Sequence, residues 1–446
     1  MRLLVSRLTK DHIGDDYLAT LNDSTYMELS RHKDSQNTIE SQQKYLSGFD
    51  FMSNFLLAIT DQQSGQLVAT ATLRVLPGNE IINIGFLVIK KFSAQGYGKQ
   101  ILQKLSLWVF DLFPTMTQQI GTRRENIAMQ KIALSSEFYE EVQFETRDYV
   151  YFMRKPSLLP EILTSKNSEF HIVCNDIGGA YHISTLVNAL FLKGTATLSG
   201  PAKDVFTDSC PSLPTIEIAP NLIANKIILL GSGFFGGIES KTLESKMLSA
   251  NRKIVFLDHW VNYRQRFSPS PQILPDVFLV TNKQAEFLAR DCFPQTAIER
   301  IPDFLLAEQK RRFLSKEASP ESVLFILEPD ALIGEGPKYR IGKIEQYLEV
   351  ILCYLRTKGI TRVVVRNHPS QKYQLGLDAV KLPSDFQISY SGNKSLVDDL
   401  LCAKAVFGFH SSALYASAML GIETFSFFAG ADGHWTNLFT EISKVD

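Results

Sequence analysis

The apolar run Ile81–Ile89 passes through Lys90–Ala94 into Gln95-Gly96-Tyr97-Gly98-Lys99, and apolar residues at helical spacing follow at once in Ile101–Phe113. A strand that ends in a two-glycine turn at the start of a helix leaves few folding options. The two elements must pack side by side across a tight loop, where glycine lets successive backbone N–H groups converge on one point. The partial positive charge of the helix start adds to those donors, so the turn can hold an anion of pyrophosphate type.

Around this unit the chain reads as helices at residues 9–21 and 38–47, then strands Phe55–Thr60 and Val68–Val75 joined by the polar loop Asp61–Gly65. After the glycine turn and its helix come a short strand near Gln118–Thr122, a helix from Asn126 and a strand at Asp148–Arg154. Lys155–Pro160 and the polar stretch Thr164–Glu169 mark a boundary, giving a domain over residues 1–156 and a linker over 157–169. Beyond it strands and helices alternate, the pattern of a parallel α/β sheet. The strands read as Phe170–Cys174, Ile227–Leu230, Ile254–Leu257, Val277–Thr281, Val323–Leu327, Arg362–Arg366, Ala405–Gly408 and Thr424–Phe428. Several are unbroken runs of Val, Ile, Leu and Phe, as strands covered on both faces require. The charged segment Leu305–Ser322 reads as the connection between two Rossmann-like halves, residues 170–305 and 320–446.

A net charge of −1 gives no basic surface for a phosphate backbone, so nucleic acid is not expected as a partner. Five scattered cysteines, with no Cys-x-x-Cys pair, suit neither a disulfide framework nor a zinc site. Charged residues follow Met1–Val5 directly and no apolar run spans a bilayer, so a cytoplasmic location is expected, with peripheral contact at the inner membrane face left open. No clustered carboxylates call for a metal.

The first 155 residues or so resemble the GNAT acetyltransferase superfamily, in particular the branch that acetylates amino sugars and protein N-termini. Gln95-Gly96-Tyr97-Gly98-Lys99 is similar to that family's loop (Arg/Gln)-x-x-Gly-x-(Gly/Ala), with Phe92 or Gln95 at the flexible first position. Leu21-Asn22-Asp23 and Thr38–Leu46 resemble its acceptor-side helices. The resemblance implies acetyl-CoA with its pyrophosphate on the N–H groups of Gln95, Gly96, Tyr97, Gly98 and Lys99 and its thioester against Gly85–Val88. It also implies a CoA contact from Asn126. Tyr139, five residues before Phe144, matches the family's Tyr-x-x-x-Gly-Phe, whose tyrosine protonates the departing thiolate; the other reading is an ordinary helix residue. Gln143 stands where that pattern has glycine, and the interval from Asn126 to Tyr139 is longer than is common. Glu80 and Asn83 are candidates for activating the amine.

The second part carries three signals, each after a strand, where open parallel sheets bind ligands. They are Asp176-Ile177-Gly178-Gly179-Ala180-Tyr181-His182, Arg366-Asn367-His368-Pro369 and Gly408-Phe409-His410-Ser411-Ser412. The last two resemble the His-Pro and Ser-Ser motifs of bacterial CMP-sialic-acid-dependent transferases, which have GT-B architecture. By that resemblance His368, Pro369, Ser411 and Ser412 would hold the CMP phosphate, with His368 stabilising it as it leaves. The acidic motif that supplies the acceptor base in those families is missing. Asp258 or His259, after strand Ile254–Leu257, could serve instead; an aspartate that caps the next helix is the competing reading.

The expected architecture is therefore α/β: a GNAT fold of mixed twisted sheet and helices, then a compact GT-B-like pair of Rossmann-like halves. The expected function is bifunctional. One part would acetylate an amino sugar from acetyl-CoA, and the other would transfer a nonulosonic acid from its CMP derivative to a glycan acceptor. Two alternatives stand beside it for the second part: a UDP-sugar hydrolase of the pseudaminic acid pathway, for which Gly178-Gly179 and His182 speak, and a non-catalytic GT-B scaffold.

Overall fold

The computed structural model describes residues 3–30, 36–78, 80–165, 168–217, 223, 225–233, 235–260, 262–267, 273–327, 344–368, 386–392, 394–409, 411–428 and 435–445. Two units divide the chain: Met1–Leu158 with Lys310–Lys316, and Leu159–Gln309 with Glu317–Asp446.

The first unit is built on a seven-stranded sheet. Its strands are β1 (Leu3–Arg7), β2 (Asn54–Asp61), β3 (Leu67–Val75), β4 (Ile81–Val88), β5 (Thr117–Arg123), β6 (Tyr139–Glu140) and β7 (Tyr149–Arg154), in the order β1-β2-β3-β4-β5-β7-β6. All neighbours are antiparallel except β4 and β5, which are parallel. Helix Tyr97–Leu112 follows the glycine turn and buries Ile101, Leu102, Leu105, Val109 and Leu112, spaced as one helical face, against this sheet. The unit is completed from far along the chain. Leu314 packs against its core, Lys310 pairs with Asp111 at 3.1 Å, and Arg311 donates to the Leu112 carbonyl, one of the acceptors left open at a helix end. Most of the expected connection Leu305–Ser322 is helix Phe304–Ser315, whose apolar Phe304, Leu306 and Ala307 are buried.

The second unit holds two parallel six-stranded sheets. One has β8 (Phe170–Cys174), β9 (Gly194–Leu198), β10 (Ile227–Leu230), β11 (Lys253–Phe256), β12 (Val277–Val280) and β13 (Ala297–Arg300) in the order β13-β12-β11-β10-β8-β9. The other has β14 (Ser322–Ile326), β15 (Arg362–Arg366), β16 (Gln387–Tyr390), β17 (Ala403–Gly408), β18 (Glu423–Ser426) and β19 (Ile442–Lys444) in the order β16-β15-β14-β17-β18-β19. Strand order reverses between β8 and β10 in the first and between β14 and β17 in the second; such reversals open a crevice at the carboxyl ends of the strands. The expected linker is not loose chain throughout, because helix Glu161–Thr164 buries Ile162 and Leu163. The expected helix over residues 9–21 is a 3₁₀ turn, Lys10–His12, followed by helix Asp15–Leu21. Strands β1, β6, β9, β13, β16 and β19 have no counterpart among the strands expected from sequence.

His171 sits fully buried on β8 between the Thr195 and Thr197 hydroxyls, at 2.9 and 3.1 Å. Because Thr197 donates its own proton to the Ile216 carbonyl, it accepts from His171 Nε2–H, which leaves Nδ1 to accept from Thr195. Burial, helped by Lys226, lowers its pKa to about 4. The unfolded chain therefore binds this proton more readily, so stability is full above about pH 6.5 and falls toward pH 4, by on the order of 3 kcal/mol. Urea titrations at pH 7 and pH 4.5 test this: His171→Asn should lose that part of the slope, and an unchanged slope would contradict it.

Candidate active sites

In the first unit the β4–β5 ladder is short. It pairs only Ile81, Ile82 and Asn83 with Thr117, Gln118 and Gln119, after which the strands part. The Asn83 side-chain amide donates to Gln119 Oε1 at 3.1 Å and closes the apex of this wedge. Asn83 is thereby a brace, and an amide has no basicity to activate an amine. From Ile84 to Val88 strand β4 has β3 on one side and the wedge on the other, so its outer backbone groups face the opening. Gly85 is required there, since a Cβ would come within 2.8 Å of Thr72 Oγ1. The Tyr26 hydroxyl donates to the Val88 carbonyl at 2.9 Å and ties the N-terminal helical segment to the wide end of the wedge. No sequence signal points to Tyr26.

The glycine turn begins the helix earlier than the sequence implies. Gly96 is its N-cap in the left-handed region (φ +81°), so Tyr97, Gly98 and Lys99 are the first three helical residues. Gly96 offers no side-chain cap, which leaves the first-turn N–H groups for a ligand. Ala94 is also left-handed (φ +59°), and the Gln95 side chain donates to the Lys91 carbonyl at 2.8 Å, so Gln95 props the turn. With Gly96 and Gly98 as the motif glycines, the motif's first position falls on Ser93 rather than Phe92 or Gln95. Lys90 and Lys91, just before the turn, pair with Asp23 and Asp16 of the N-terminal segment.

Asn126 caps helix Ile127–Leu134, its Oδ1 accepting from Met129 N at 3.1 Å. Tyr139 is not on a helix. It lies half-exposed on edge strand β6, paired with Met153 of β7, three ladders from β4. The Gly-Phe pair of the motif also shifts: Glu137 adopts the left-handed conformation glycine favours (φ +66°) and Phe138 is buried, whereas Phe144 is exposed. This register shortens the interval from Asn126, although Glu137 rather than glycine then stands at the motif's glycine position. It also puts buried Ala133, which has no proton to donate, at the position of the motif tyrosine, so Tyr139 is not that residue. Two residues beyond helix Ile127–Leu134, Ser136 Oγ is buried with no hydrogen-bond partner among the described residues.

Residues 2–138 match the acetyltransferase (GNAT) domain family. The N-terminal unit is a GNAT acetyltransferase domain. Solved structures similar to the chain include RimL, a ribosomal L7/L12 alpha-N-protein acetyltransferase in complex with coenzyme A, at 18% identity over 34% of this chain and 94% of that one, with a TM-score of 0.31. Aminoglycoside acetyltransferase AAC(6')-Ib in complex with coenzyme A matches at 16% identity over 34% and 95%, with a TM-score of 0.30. A GNAT-family acetyltransferase from Bacillus anthracis matches at 16% identity over 35% and 95%, also with a TM-score of 0.30. No curated protein matches the chain at a significant level.

The second unit gathers its own cluster at the β8/β10 reversal. Asp176 caps helix Ile177–Leu190, accepting from Gly178 N at 3.3 Å. The two loops touch through their glycines: a Cβ on Gly179 would lie 3.3 Å from Gly231 Cα, and one on Gly178 would collide with Asp258 Oδ2. Asp258, after β11, is buried and held on Oδ1 by Arg266 at 2.8 Å and by the Ser232 hydroxyl. Burial pushes its pKa up, but Arg266, Ser232, His259 and His182 outweigh that and leave it lowered. A carboxylate so neutralised is a weak base, and this corrects its expected role: Asp258 anchors Arg266 and the Ser232 loop. Nor does it cap a helix among the described residues. Glu239, which no sequence signal marks, accepts from Asn175 N at 2.6 Å, while its Oε2 is buried without a partner among the described residues; burial raises its pKa. His182, the third residue of the glycine–histidine signal, stacks on Phe256 at 5.0 Å and stands 3.8 Å from Asp303.

The separated sequence signals do meet. Trp260, following His259, packs on Tyr415 at 4.9 Å and on Phe439 at 5.2 Å. Tyr415 belongs to helix Ser412–Met419, whose N-cap Ser411 accepts from Ala413 N at the β14/β17 reversal. Ser412 is exposed at the same helix start. His368 follows β15 and its charge acts on Asp176 of the other sheet. Arg366 is instead structural, paired with buried Asp399 at 2.6 Å. Pro369 and His410 lie outside the described residues. Among the described residues no group of three or more His, Cys, Asp or Glu could hold a metal ion, and no helix is long and apolar enough to cross a membrane.

Proposed function

We propose that the chain is a two-site enzyme of cell-surface carbohydrate synthesis. Its GNAT domain moves an acetyl group from acetyl-CoA to an amino sugar, and its C-terminal unit transfers a nonulosonic acid from a CMP-activated donor to a glycan. The observation that carries the first activity is the wedge between β4 and β5 beside an uncapped helix start. The wedge admits the pantetheine arm and thioester between strands, and the first-turn N–H groups face the pyrophosphate. The amine attacks the thioester carbon, the oxyanion that forms accepts hydrogen bonds from β4 backbone N–H groups, and the C–S bond then breaks, with the proton lost by the amine ending on the departing thiolate.

The second activity is supported by Ser411 and Ser412 at one strand-order reversal and by His368 acting across to Asp176 at the other. An anionic leaving group would take hydrogen bonds from the Ser411 and Ser412 hydroxyls at the Ser412–Met419 helix start and from His368. The work would take place in the cytoplasm, at the inner membrane face where a glycan acceptor is presented.

Two assays on the full chain test this reading. Coenzyme A release from acetyl-CoA with a panel of amino sugars should rise above the rate without them, and no rise would remove the acetylation of sugars. CMP, rather than UDP, should raise the melting temperature, because a ligand bound only by the native state stabilises it. Stabilisation by UDP alone would favour the hydrolase reading, and stabilisation by neither would favour a non-catalytic scaffold.

A further inference from the structure

We propose that Asp176, rather than Asp258, accepts the proton of the acceptor hydroxyl in the C-terminal unit. This rests on the glycosyl-transfer reading of that unit. Asp176 stands at the carboxyl end of β8, on one lip of the β8/β10 crevice. Its Oδ2 is occupied by the Gly178 N–H, while Oδ1 has no hydrogen bond among the described residues, and the side chain is only partly buried. One carboxylate oxygen is therefore available to a substrate. Asp258 offers the opposite: Oδ1 takes both Arg266 and Ser232, and Oδ2 lies beneath Gly178.

The groups acting on Asp176 come from every neighbouring loop. They are Asp258 and Arg266 after β11, Glu239 and Cys174 on the β8/β10 side, and His368 from the second sheet. Burial and then the negative charge of Asp258 hold the Asp176 carboxyl above the usual range, against the pull of Gly178 N–H, Arg266 and His368. A carboxylate shifted this way is a better base near neutral pH. His368, proposed above to hold the donor phosphate, is also among the charges that act on Asp176. In the step, the acceptor O–H proton passes to Asp176 Oδ1 and the acceptor oxygen bonds to the anomeric carbon. The bond from that carbon to the phosphate oxygen breaks, and CMP leaves with the electron pair.

The test is CMP release by the full chain from CMP-N-acetylneuraminate, with water alone and with lactose as acceptor. Asp176→Asn keeps the helix cap, since Asn caps as well as Asp. It should lower kcat by roughly 10²–10⁴-fold while the donor KM stays within about threefold. Wild-type kcat/KM should fall at acid pH with an apparent pKa above the ordinary carboxylate range, and Asp176→Asn should abolish that limb. Undiminished turnover in Asp176→Asn, or a wild-type profile without the acid limb, overturns the assignment while leaving glycosyl transfer standing. No CMP release by the wild type, together with no thermal shift from CMP, overturns both.

Discussion

Gly98→Asp should weaken coenzyme A binding by at least roughly 100-fold and yet leave helix Tyr97–Leu112 folded. Gly98 is the second residue of that helix, and helical Cβ bonds tilt toward the N-terminus, so the new carboxylate would sit over the first-turn N–H groups. It would present a negative charge where a pyrophosphate should lie. The same charge favours the helix itself, by about 0.3–1 kcal/mol. The steric part is separable. A Cβ at Gly98 would approach Ile132 Cδ1 at 2.7 Å, the movable end of a side chain, so Gly98→Ala should cost only a small fraction of the affinity. Calorimetric titration of both variants with coenzyme A checks the prediction. Equal affinities for Gly98→Ala and Gly98→Asp would mean that the turn does not receive the pyrophosphate.

Arg266→Met should destabilise the second unit by about 3–5 kcal/mol at pH 7, because it strands the buried charge of Asp258. The pair is closely packed, with side chains 17% and 7% exposed. The pH dependence distinguishes this from simple loss of packing. With Arg266 present the Asp258 pKa is lowered in the fold, so its contribution is present above the unfolded value and lost as pH falls. Without Arg266 only burial remains dominant, the folded pKa rises, and the variant recovers stability as the carboxyl protonates. The gap between wild type and variant should therefore narrow between pH 7 and pH 4 in urea titrations. Arg266→Met/Asp258→Asn should fall short of the summed single losses, as expected of coupled partners. A gap independent of pH would show that Arg266 acts by packing alone.

How much of the fold can be read from the residues depends on where a strand sits. Interior strands such as Ile227–Leu230 and Val277–Val280 are apolar throughout because both faces are covered, and they stand out in the sequence. The six strands without a sequence signal are the two edges of each of the three sheets: β1 and β6, β9 and β13, β16 and β19. Edge strands are half solvated and carry polar residues, as in Ala297–Arg300 and Gln387–Tyr390, so they give no apolar run to detect. The sites divide in a similar way. The glycine turn is legible because backbone geometry dictates residue type there. Asp258 is overvalued by sequence because its ion pair with Arg266 closes across a loop that no spacing reveals. Tyr139 is misplaced by sequence because the backbone needs a left-handed residue at Glu137, where the chain supplies no glycine to signal it.

Residues 310–316 belong to the acetyltransferase unit although about 150 residues separate them from the rest of it. During synthesis the unit must wait for Arg311 and Leu314, roughly 8–30 s after Leu158 emerges at about 5–20 residues per second. Over that interval the Leu112 carbonyl has no guanidinium to accept from and the Leu314 packing site is vacant. The N-terminal unit is therefore begun first but completed only after strands β8 to β13 of the second unit have been made, and a nascent chain stalled before residue 310 should hold it in a less protected form than the released protein.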